Sequence, residues 1–169
     1  VQAFNIPIFE VEGYEADDVL GTLSRQAEEK GLETLLVTGD TDAFQLVDGR
    51  TRVLTSRRSF SDTVTYDEAA ILERYGLKPG QLIDYKALTG DKSDNIPGVS
   101  GIGEKTATQL LQQYGSIEAI YEHLDEITGR ARTALESGRP SARLSKELVT
   151  IARGLDIKLD VEACRSEDF

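Results

Sequence analysis

The amino-acid sequence predicts an α/β region followed by an all-helical region, with the change near residue 77. In the first 76 residues, short apolar runs typical of strands alternate with helical patterns that end at glycine, as at Gly31 and Gly76. The remaining residues show helical patterns separated by turns that contain glycine or proline, and no convincing strand. With 169 residues and 39% apolar content, the chain is long enough for one good core or two small ones.

Residues 1–76 alternate between strand and helix patterns. In chain order, the sequence predicts a strand over 6–11, a helix over 15–30, a strand over 32–38, a short helix over 42–47, a strand over 51–55 and a helix over 67–75. This alternation predicts a mostly parallel sheet with helices on both faces. The chain opens at Val1 and contains no methionine, so we expect it to be a piece of a longer protein.

Residues 77–169 show helical patterns alone. The predicted helices cover 79–88, 104–114, 116–123, 129–136 and 142–152. Glycine or proline between them marks the turns. We therefore expect a first domain over 1–76 and a helical second domain over 77–169.

The composition indicates a reducing compartment. A single cysteine, Cys164, excludes an internal disulfide. The apolar stretches are only a few residues long, far short of the roughly 20 that cross a bilayer. The sequence therefore predicts a cytoplasmic protein without membrane contact, and we expect a monomer.

The net charge of −11 by itself argues against a nucleic-acid partner, because phosphates attract Lys and Arg. The charges are unevenly distributed, however. Between residues 128 and 153, two acidic side chains stand against six basic ones, which are Arg130, Arg132, Arg139, Arg143, Lys146 and Arg153. This segment is either a solvated helical face or a surface that contacts phosphates, and the charge pattern leaves both open.

Seven carboxylates fall in three short clusters. They are Glu15, Asp17 and Asp18 in the first, Asp40 and Asp42 in the second, and Asp91 and Asp94 in the third. Bringing so many anions together is costly unless cations neutralise them. The clusters therefore predict bound Mg²⁺ or Mn²⁺, because such hard cations prefer oxygen ligands.

Asp40 is a strong candidate ligand because it follows a predicted buried strand, and open α/β sheets bind ligands at the carboxyl ends of their strands. Glu15, Asp17 and Asp18 occupy the first turn of a predicted helix. Acidic residues in such a turn are also ordinary caps, so both roles stay open for them. The lone His123 offers no zinc cluster, and we expect it to be structural.

The third cluster opens a glycine-rich stretch. A calcium loop that starts at Asp91 does not fit the pattern, since its sixth position is Ile96 rather than glycine. A nucleotide-binding P-loop also fails, because Glu104 intrudes before the lysine and no buried strand leads into the loop. The Gly-Ile-Gly sequence at 101–103 instead predicts a helix-hairpin-helix turn whose backbone amides approach a DNA phosphate. A plain interhelical turn is the alternative.

Three segments occur in a specific order and spacing. They are Glu15-Ala16-Asp17-Asp18-Val19-Leu20, then Thr38-Gly39-Asp40-Thr41-Asp42, then ALTGDKSDNIPGVSGIGEKTA over 87–107. Together they closely resemble the 5′-nuclease domain of bacterial DNA polymerase I and its flap-endonuclease relatives. The resemblance covers essentially the whole chain, and the third segment is long enough to be highly specific.

The resemblance implies a two-metal 5′-3′ exonuclease, or structure-specific 5′-flap endonuclease, that hydrolyses DNA and RNA-primer phosphodiesters in replication and repair. It implies a partial parallel-sheet core of the resolvase or PIN-like type, followed by a helix-three-turn-helix domain. It assigns all seven carboxylates to the metal ions. DNA contacts are implied for Gly101, Gly103, Lys105, Thr106, Arg130 and Arg132, and carbonyl groups at Val99 and Ile102 are implied to hold K⁺.

The implied partner is DNA with a 5′ flap, a nick or a primer, and a polymerase domain on the same chain is a further expectation. In the family, two more aspartates, the basic residues at the scissile phosphate and an arch lie before the point that corresponds to Val1. Their absence leaves a second hypothesis, a fragment that binds DNA junctions without cleaving them. A PIN-type ribonuclease is a third candidate, which would not need the helical hairpin domain.

Overall fold

The computed structural model describes residues 6–56 and 62–165. The strands are β1 (Thr34–Val37), β2 (Thr51–Ser56) and β3 (Thr63–Tyr66). The α-helices are α1 (Ala16–Glu29), α2 (Glu68–Tyr75), α3 (Leu82–Thr89), α4 (Glu104–Tyr114), α5 (Ile117–Glu122) and α6 (Gly129–Val149). Two short 3-10 helices cover Thr41–Leu46 and Pro79–Gln81.

The sheet that these strands form is mixed rather than mostly parallel. Its order is β1-β2-β3, in which β1 and β2 are parallel and β2 and β3 are antiparallel. Thr34 pairs with Thr51 in the first ladder, and Val53 pairs with Tyr66 in the second. The sequence prediction did not include β3, a four-residue strand that returns directly alongside β2.

Two further predictions about strands are corrected. Residues 6–11 form no strand, and Ile6 and Ile8 are 49% and 57% exposed. A strand needs a neighbour to pair with, none of the described strands pairs with this segment, and Pro7 has no N–H to donate. The strand before Asp40 was predicted to be buried, but only its Leu36 is, because Leu35 and Val37 lie together on the opposite face of β1, which is exposed.

Helix α1 is held by an extended segment, residues 150–159, which we call the C-terminal strap. The Ala152 amide donates to Asp18 Oδ1 at 2.7 Å, and the Leu155 amide donates to Thr22 Oγ1 at 3.2 Å. The Leu159 amide donates to Gln26 Oε1 at 2.7 Å. These bonds satisfy strap backbone groups that have no strand partner, and they tie the end of the helical region to the acidic helix of the first region.

Helix α6 is one continuous helix of 21 residues, whereas the sequence predicted two helices separated near residue 140. The prediction was wrong because glycine and proline, here Gly138 and Pro140, usually mark the end of a helix. Gly138 is required for packing, since a Cβ there would lie 2.7 Å from Val99 Cγ1. Ser141 Oγ donates to the Gly98 carbonyl at 2.6 Å, and the Gly98 amide donates to Ser145 Oγ at 2.9 Å. Contacts with the loop before α4 therefore hold this helix along its length despite its proline.

One hydrophobic core extends across both parts of the chain. Its fully buried members include Phe44, Val53 and Ile71 from the first part and Leu88 and Leu111 from the second. The core thus joins the sheet to the helices, and it fixes the strand ends relative to the loop that follows α3. The division of the chain at residue 77 stays a prediction.

Candidate metal centre and nucleic-acid interface

Three of the predicted carboxylates converge. One oxygen atom each from Asp42, Asp91 and Asp94 lies within 4.8 Å of the other two. Oxygen ligands around one Mg²⁺ at about 2.1 Å would be about 3 to 4 Å apart, so this spacing is close to that of a single coordination sphere. The donors are all carboxylates, which fits a hard divalent cation.

Local structure explains how these side chains are positioned. Asp40 caps the 3-10 helix that follows β1, and its Oδ1 accepts the Asp42 amide at 2.9 Å. Asp91 and Ile96 exchange backbone hydrogen bonds of 3.0 and 2.7 Å, which close the loop after α3. Asn95 within this loop has a positive φ of 57°. The tight loop turns Asp94 back toward Asp91 and Asp42.

Lys86 on α3 lies between two of the three carboxylates. Its Nζ donates to Asp42 Oδ1 and, at 3.0 Å, to Asp91 Oδ2. The Ser93 hydroxyl, followed by Lys86, lowers the pKa of Asp91 to about 2. Asp91 is therefore fully ionised at neutral pH. The sequence analysis did not single out Lys86, because nothing in the local pattern indicates that its side chain points back toward the strand end.

The pKa of Asp17 is raised. Burial is the main cause, followed by the negative charges of Asp40, Glu15 and Asp18, while Lys86 opposes the shift. The charge of Asp40, in the second cluster, therefore acts on Asp17 in the first. A bound cation near Asp17 would relieve this repulsion.

In the first cluster, Asp18 also makes hydrogen bonds that stabilise the fold. Asp18 Oδ2 accepts the Glu15 amide at 3.2 Å, and its Oδ1 accepts the Ala152 amide of the strap. Within the described residues, Glu15, Asp17, Asp18 and Asp40 lie outside the group of three carboxylates that meet at 4.8 Å. Their role as metal ligands stays a prediction.

The hairpin at 101–103 lies directly before α4. Gly101 has a φ of 89°, and Gly103 is the N-cap of α4. A Cβ at Gly103 would meet no protein atom within 4 Å, so this side of the turn is open. Val99 and Ile102 are buried, and the Ile102 amide donates to the Val99 carbonyl at 3.0 Å. The turn presents the free amides of the first turn of α4, where Lys105 and Thr106 also lie.

A crossing of two loops supports the hairpin, and sequence reasoning did not foresee it. Gly90 and Gly98 both have positive φ, and a Cβ at Gly98 would lie 2.3 Å from the Gly90 amide nitrogen. Only glycine fits such an approach. The crossing fixes the loop that Asp91 and Ile96 close, which we call the carboxylate loop, relative to the hairpin.

The basic segment over 128–153 divides into two parts. A Cβ at Gly101 would lie 3.5 Å from Ala134 Cβ, so the first half of α6, with Arg130 and Arg132, runs beside the hairpin. Arg132 also pairs with Glu136 at 2.8 Å.

The later basic residues make internal contacts. Arg139 stacks 4.5 Å from the Tyr121 ring, and Lys146 Nζ lies 2.7 Å from Asp84 Oδ1 and 2.7 Å from Glu118 Oε1. Burial opposes ionisation of Lys146, but the interactions of its ammonium group with the Asp84 and Glu118 carboxylates outweigh it and raise the pKa of Lys146. This half of the segment joins α6 to α3 and α5, which the charge pattern did not indicate.

A cleft of about 1000 Å³ lies between the loop after α3 and the hairpin. Its lining includes Asp91, Lys86 and Lys92, together with Gly103 and Lys105. His123 lies away from these lining residues, stacked on Tyr114 and 2.9 Å from Glu126 Oε1. Within the described residues, no helix is long and apolar enough to span a bilayer.

Comparison with known proteins assigns the chain to a family. Residues 1–76 match the family description "5'-3' exonuclease, N-terminal resolvase-like domain", and residues 77–169 match "5'-3' exonuclease, C-terminal SAM fold". The chain belongs to the 5′-3′ exonuclease family. The resemblance of the three sequence segments is thereby confirmed.

Curated relatives of this exonuclease chain are longer. DNA polymerase I of Chloroflexus aurantiacus is 49% identical over 168 residues, which cover 98% of this chain and 18% of the relative. DNA polymerase I of Bacillus subtilis is 42% identical over 170 residues, which cover 100% of this chain and 19% of the relative. The chain therefore spans about a fifth of the length of these relatives.

Solved structures confirm the fold of the exonuclease chain. A mutant 5′-exonuclease of bacteriophage T5 has a TM-score of 0.74 at 23% identity, covering 86% of this chain and 59% of that one. The catalytic core of Rad2 in complex with DNA substrate has a TM-score of 0.56 at 19% identity, covering 88% of this chain and 50% of that one. The predicted α/β nuclease core followed by a helical domain is therefore correct.

Proposed function

We propose that this chain carries a metal-dependent 5′-3′ exonuclease or 5′-flap endonuclease activity that hydrolyses DNA and RNA-primer phosphodiesters. The observation that carries the proposal is that Asp91, one of three convergent carboxylates, lines the same cleft as Gly103 and Lys105 of the hairpin region. The relatives are named DNA polymerase I, and a T5 flap endonuclease structure is described as a complex with DNA and metal ions. Membership of the 5′-3′ exonuclease family supports the same reaction.

In this proposal the carboxylates hold two divalent ions. Asp42, Asp91 and Asp94 contribute to one site, and Glu15, Asp17, Asp18 and Asp40 complete the second. Bound Mg²⁺ or Mn²⁺ supplies Lewis acidity toward the attacking water and the leaving oxygen of a phosphodiester. The protein's part is to keep the ligands ionised and oriented, as the Ser93 hydroxyl and Lys86 do for Asp91.

The hairpin binds the DNA backbone at a distance from the reacting bond. The free amides in the first turn of α4 donate to a phosphate, and the open face of Gly103 lets the phosphate approach. Lys105, Thr106, Arg130 and Arg132 lie around the same turn, and the carbonyl groups of Val99 and Ile102 are the proposed K⁺ ligands. Two points of attachment, at the metal ions and at the hairpin, would select a duplex next to a 5′ end.

The setting of the reaction follows from the relatives. We place the chain in replication and repair, on the same polypeptide as a polymerase domain, because the curated relatives named DNA polymerase I are about five times longer. The partners are then flapped, nicked or primer-bearing DNA. A cytoplasmic monomer is the expected form.

A non-cleaving DNA-junction fragment is the second candidate. Four of the seven predicted ligands lie outside the group of three that the structure brings together, which favours an incomplete second metal site in this chain. The hairpin and the first half of α6 would still bind DNA in that case. The PIN-type ribonuclease gains no support, since it would leave the helical hairpin domain without a role.

Cleavage and binding by the 169-residue chain distinguish these candidates. A labelled 5′-flap DNA is incubated with Mg²⁺, with Mn²⁺ or with EDTA, and the same DNA is used for gel-shift binding. Metal-dependent cutting near the flap junction supports the nuclease, and binding without cutting supports the fragment. Asp94→Asn removes a converging carboxylate, and Glu122→Gln on the exposed end of α5 is the matched control that leaves cutting unchanged.

A further inference from the structure

Lys86 occupies an unusual place for a cation. Its ammonium group lies between Asp42 and Asp91, two of the three carboxylates that converge at the candidate metal centre. The Lys86 side chain is 18% exposed, and those of Asp42 and Asp91 are 16% and 21% exposed. Charges this poorly solvated interact more strongly than charges on an open surface.

One pair of carboxylates cannot serve both cations at once. A divalent ion bound to Asp42 and Asp91 would lie within a few ångströms of the ammonium, where the two positive charges repel each other strongly. The lysine side chain is long and rotatable, and it lines the cleft that runs toward the hairpin. It can therefore leave the carboxylates by turning into that cleft.

We propose that Lys86 is a tethered competitor for the divalent cation at Asp42 and Asp91. Without metal, its ammonium group neutralises the two carboxylates and keeps them close together. Metal binding displaces it into the cleft, so the ion must overcome an existing ion pair and its apparent affinity is lowered. This inference rests on the proposed function, since it concerns the same metal centre.

Lys92 provides a matched control. It lies in the carboxylate loop and lines the same cleft, so its removal changes the net charge near the site by the same amount. Within the described residues Lys92 makes no ion pair, whereas Lys86 makes two. A comparison of Lys86→Met with Lys92→Met therefore separates direct competition from a general change of potential.

The test is Mn²⁺ binding to the 169-residue chain, measured from free Mn²⁺ by electron paramagnetic resonance. Lys86→Met is expected to lower the Mn²⁺ dissociation constant by about tenfold, the size of one lost ion pair of moderate strength. Lys92→Met is expected to change it by less than about threefold, because an exposed charge is screened. Lys86→Arg keeps the competing charge and should bind much more like the unaltered chain than Lys86→Met does.

Lys86→Met leaves two neighbouring carboxylates without their counter-ion, so this variant is expected to be less stable. A second measurement therefore reads metal binding from the change in thermal stability. Thermal unfolding in EDTA and in Mn²⁺ should then show a larger rise in Tm on metal addition for Lys86→Met than for the unaltered chain. Mn²⁺ binding by Lys86→Met that is equal to or weaker than that of the unaltered chain overturns the inference, and Lys86 then has only a structural role. If the unaltered chain binds Mn²⁺ and cuts a flap, and Lys86→Met binds Mn²⁺ with the same affinity, only the inference about Lys86 fails. If neither the unaltered chain nor Lys86→Met binds Mn²⁺, the proposed metal centre fails as well.

Discussion

At the scale of single residues, two carboxylates of the candidate site have opposite environments. Asp91 is stabilised as an anion by the Ser93 hydroxyl and by Lys86. Asp17 is pushed the other way, by burial and by the charges of Asp40, Glu15 and Asp18. Asp91 is thus already paired with a cation, whereas Asp17 would gain from a bound one.

Asp40→Asn tests the central carboxylate. Its amide side chain can still cap the 3-10 helix by accepting the Asp42 amide, so the local fold should survive. The loss of one negative ligand is expected to lower flap cleavage by about 100-fold or more, while flap binding changes only a few-fold. Rates and gel shifts on the same preparation provide the measurement. Near-normal cleavage would remove Asp40 from the set of metal ligands.

The lowered pKa of Asp91 predicts a pH dependence of stability. A depressed folded-state pKa stabilises the fold above the unfolded value of 3.8, and that stability is lost as pH falls toward about 2. Ser93→Ala removes the main cause of the shift. After allowance for solvent screening, the unaltered chain should lose up to about 1 kcal/mol more than Ser93→Ala between pH 5 and pH 2.5.

Urea unfolding in EDTA at several pH values across that range measures the difference. Asp91→Asn, which does not titrate, should show a still smaller dependence than Ser93→Ala, in which Lys86 continues to lower the pKa of Asp91. Parallel loss of stability in all three chains would mean that the Ser93 hydroxyl does not hold Asp91 in its ionised form.

At the scale of elements, two connections set the geometry of the site. The C-terminal strap pairs with α1 through Asp18, Thr22 and Gln26, so the end of the helical region holds the first carboxylate cluster in place. The crossing of Gly90 and Gly98 fixes the carboxylate loop against the hairpin. Neither connection belongs to a strand or a helix pattern.

Gly21→Val tests the strap. A Cβ at Gly21 would lie 2.7 Å from Ile151 Cγ2 and 3.2 Å from the Ala152 carbonyl oxygen, so the strap must move away from α1. We expect a loss of about 1 to 3 kcal/mol in the free energy of unfolding, as for other overpacked sites. Faster hydrogen exchange at the Ala152 and Leu155 amides should accompany it. Gly49→Val, in an open loop, is the control, and equal effects of the two changes would contradict the role of the strap.

Gly103→Val separates DNA binding from folding. A Cβ there meets no protein atom within 4 Å and the backbone is extended, so the Tm should change little. The side chain projects instead into the space where a phosphate would approach the α4 amides, and duplex affinity should fall by about tenfold. Gly49→Val again serves as the control for binding. Unchanged affinity of Gly103→Val would reduce the hairpin to a plain interhelical turn.

At the scale of the whole molecule, an acidic chain with a net charge of −11 presents a local basic surface. Much of the apparent basic segment is used internally, through the contacts of Arg139 with Tyr121 and of Lys146 with Asp84 and Glu118. The surface around the hairpin is left to a few side chains of α4 and the start of α6. Each of them should therefore carry a measurable share of the electrostatic attraction to DNA.

Lys105→Ala tests that share. If Lys105 neutralises one phosphate, its loss lowers the slope of log affinity against log salt concentration by about one, with a similar effect on every DNA sequence. Arg143→Ala is the control, because Arg143 pairs with Glu147 on α6. Fluorescence anisotropy over a salt series measures both slopes. Equal slopes for Lys105→Ala and the unaltered chain would remove Lys105 from the interface.

The sequence by itself determined the features that depend on neighbouring residues. Most helices, two of the three strands found in residues 6–56 and 62–165, the order of the carboxylate clusters and the Gly-Ile-Gly turn all follow from local patterns of polarity and glycine. The same locality explains the errors. The 6–11 segment has the composition of a strand, but none of the described strands pairs with it. Gly138 is a residue type that often interrupts helices, but here it lies inside α6 and allows close packing against Val99.

Only the tertiary structure decided which distant side chains meet. Asp42 and Asp91 are 49 positions apart in the sequence, yet the ammonium group of Lys86 donates to both. Asp18 accepts a hydrogen bond from the Ala152 amide, 134 positions away. Such contacts depend on the mixed sheet, the continuous α6 and the single core that orient the elements. No local pattern specifies them, because the free energy that selects them comes from packing across the whole chain rather than from any one segment.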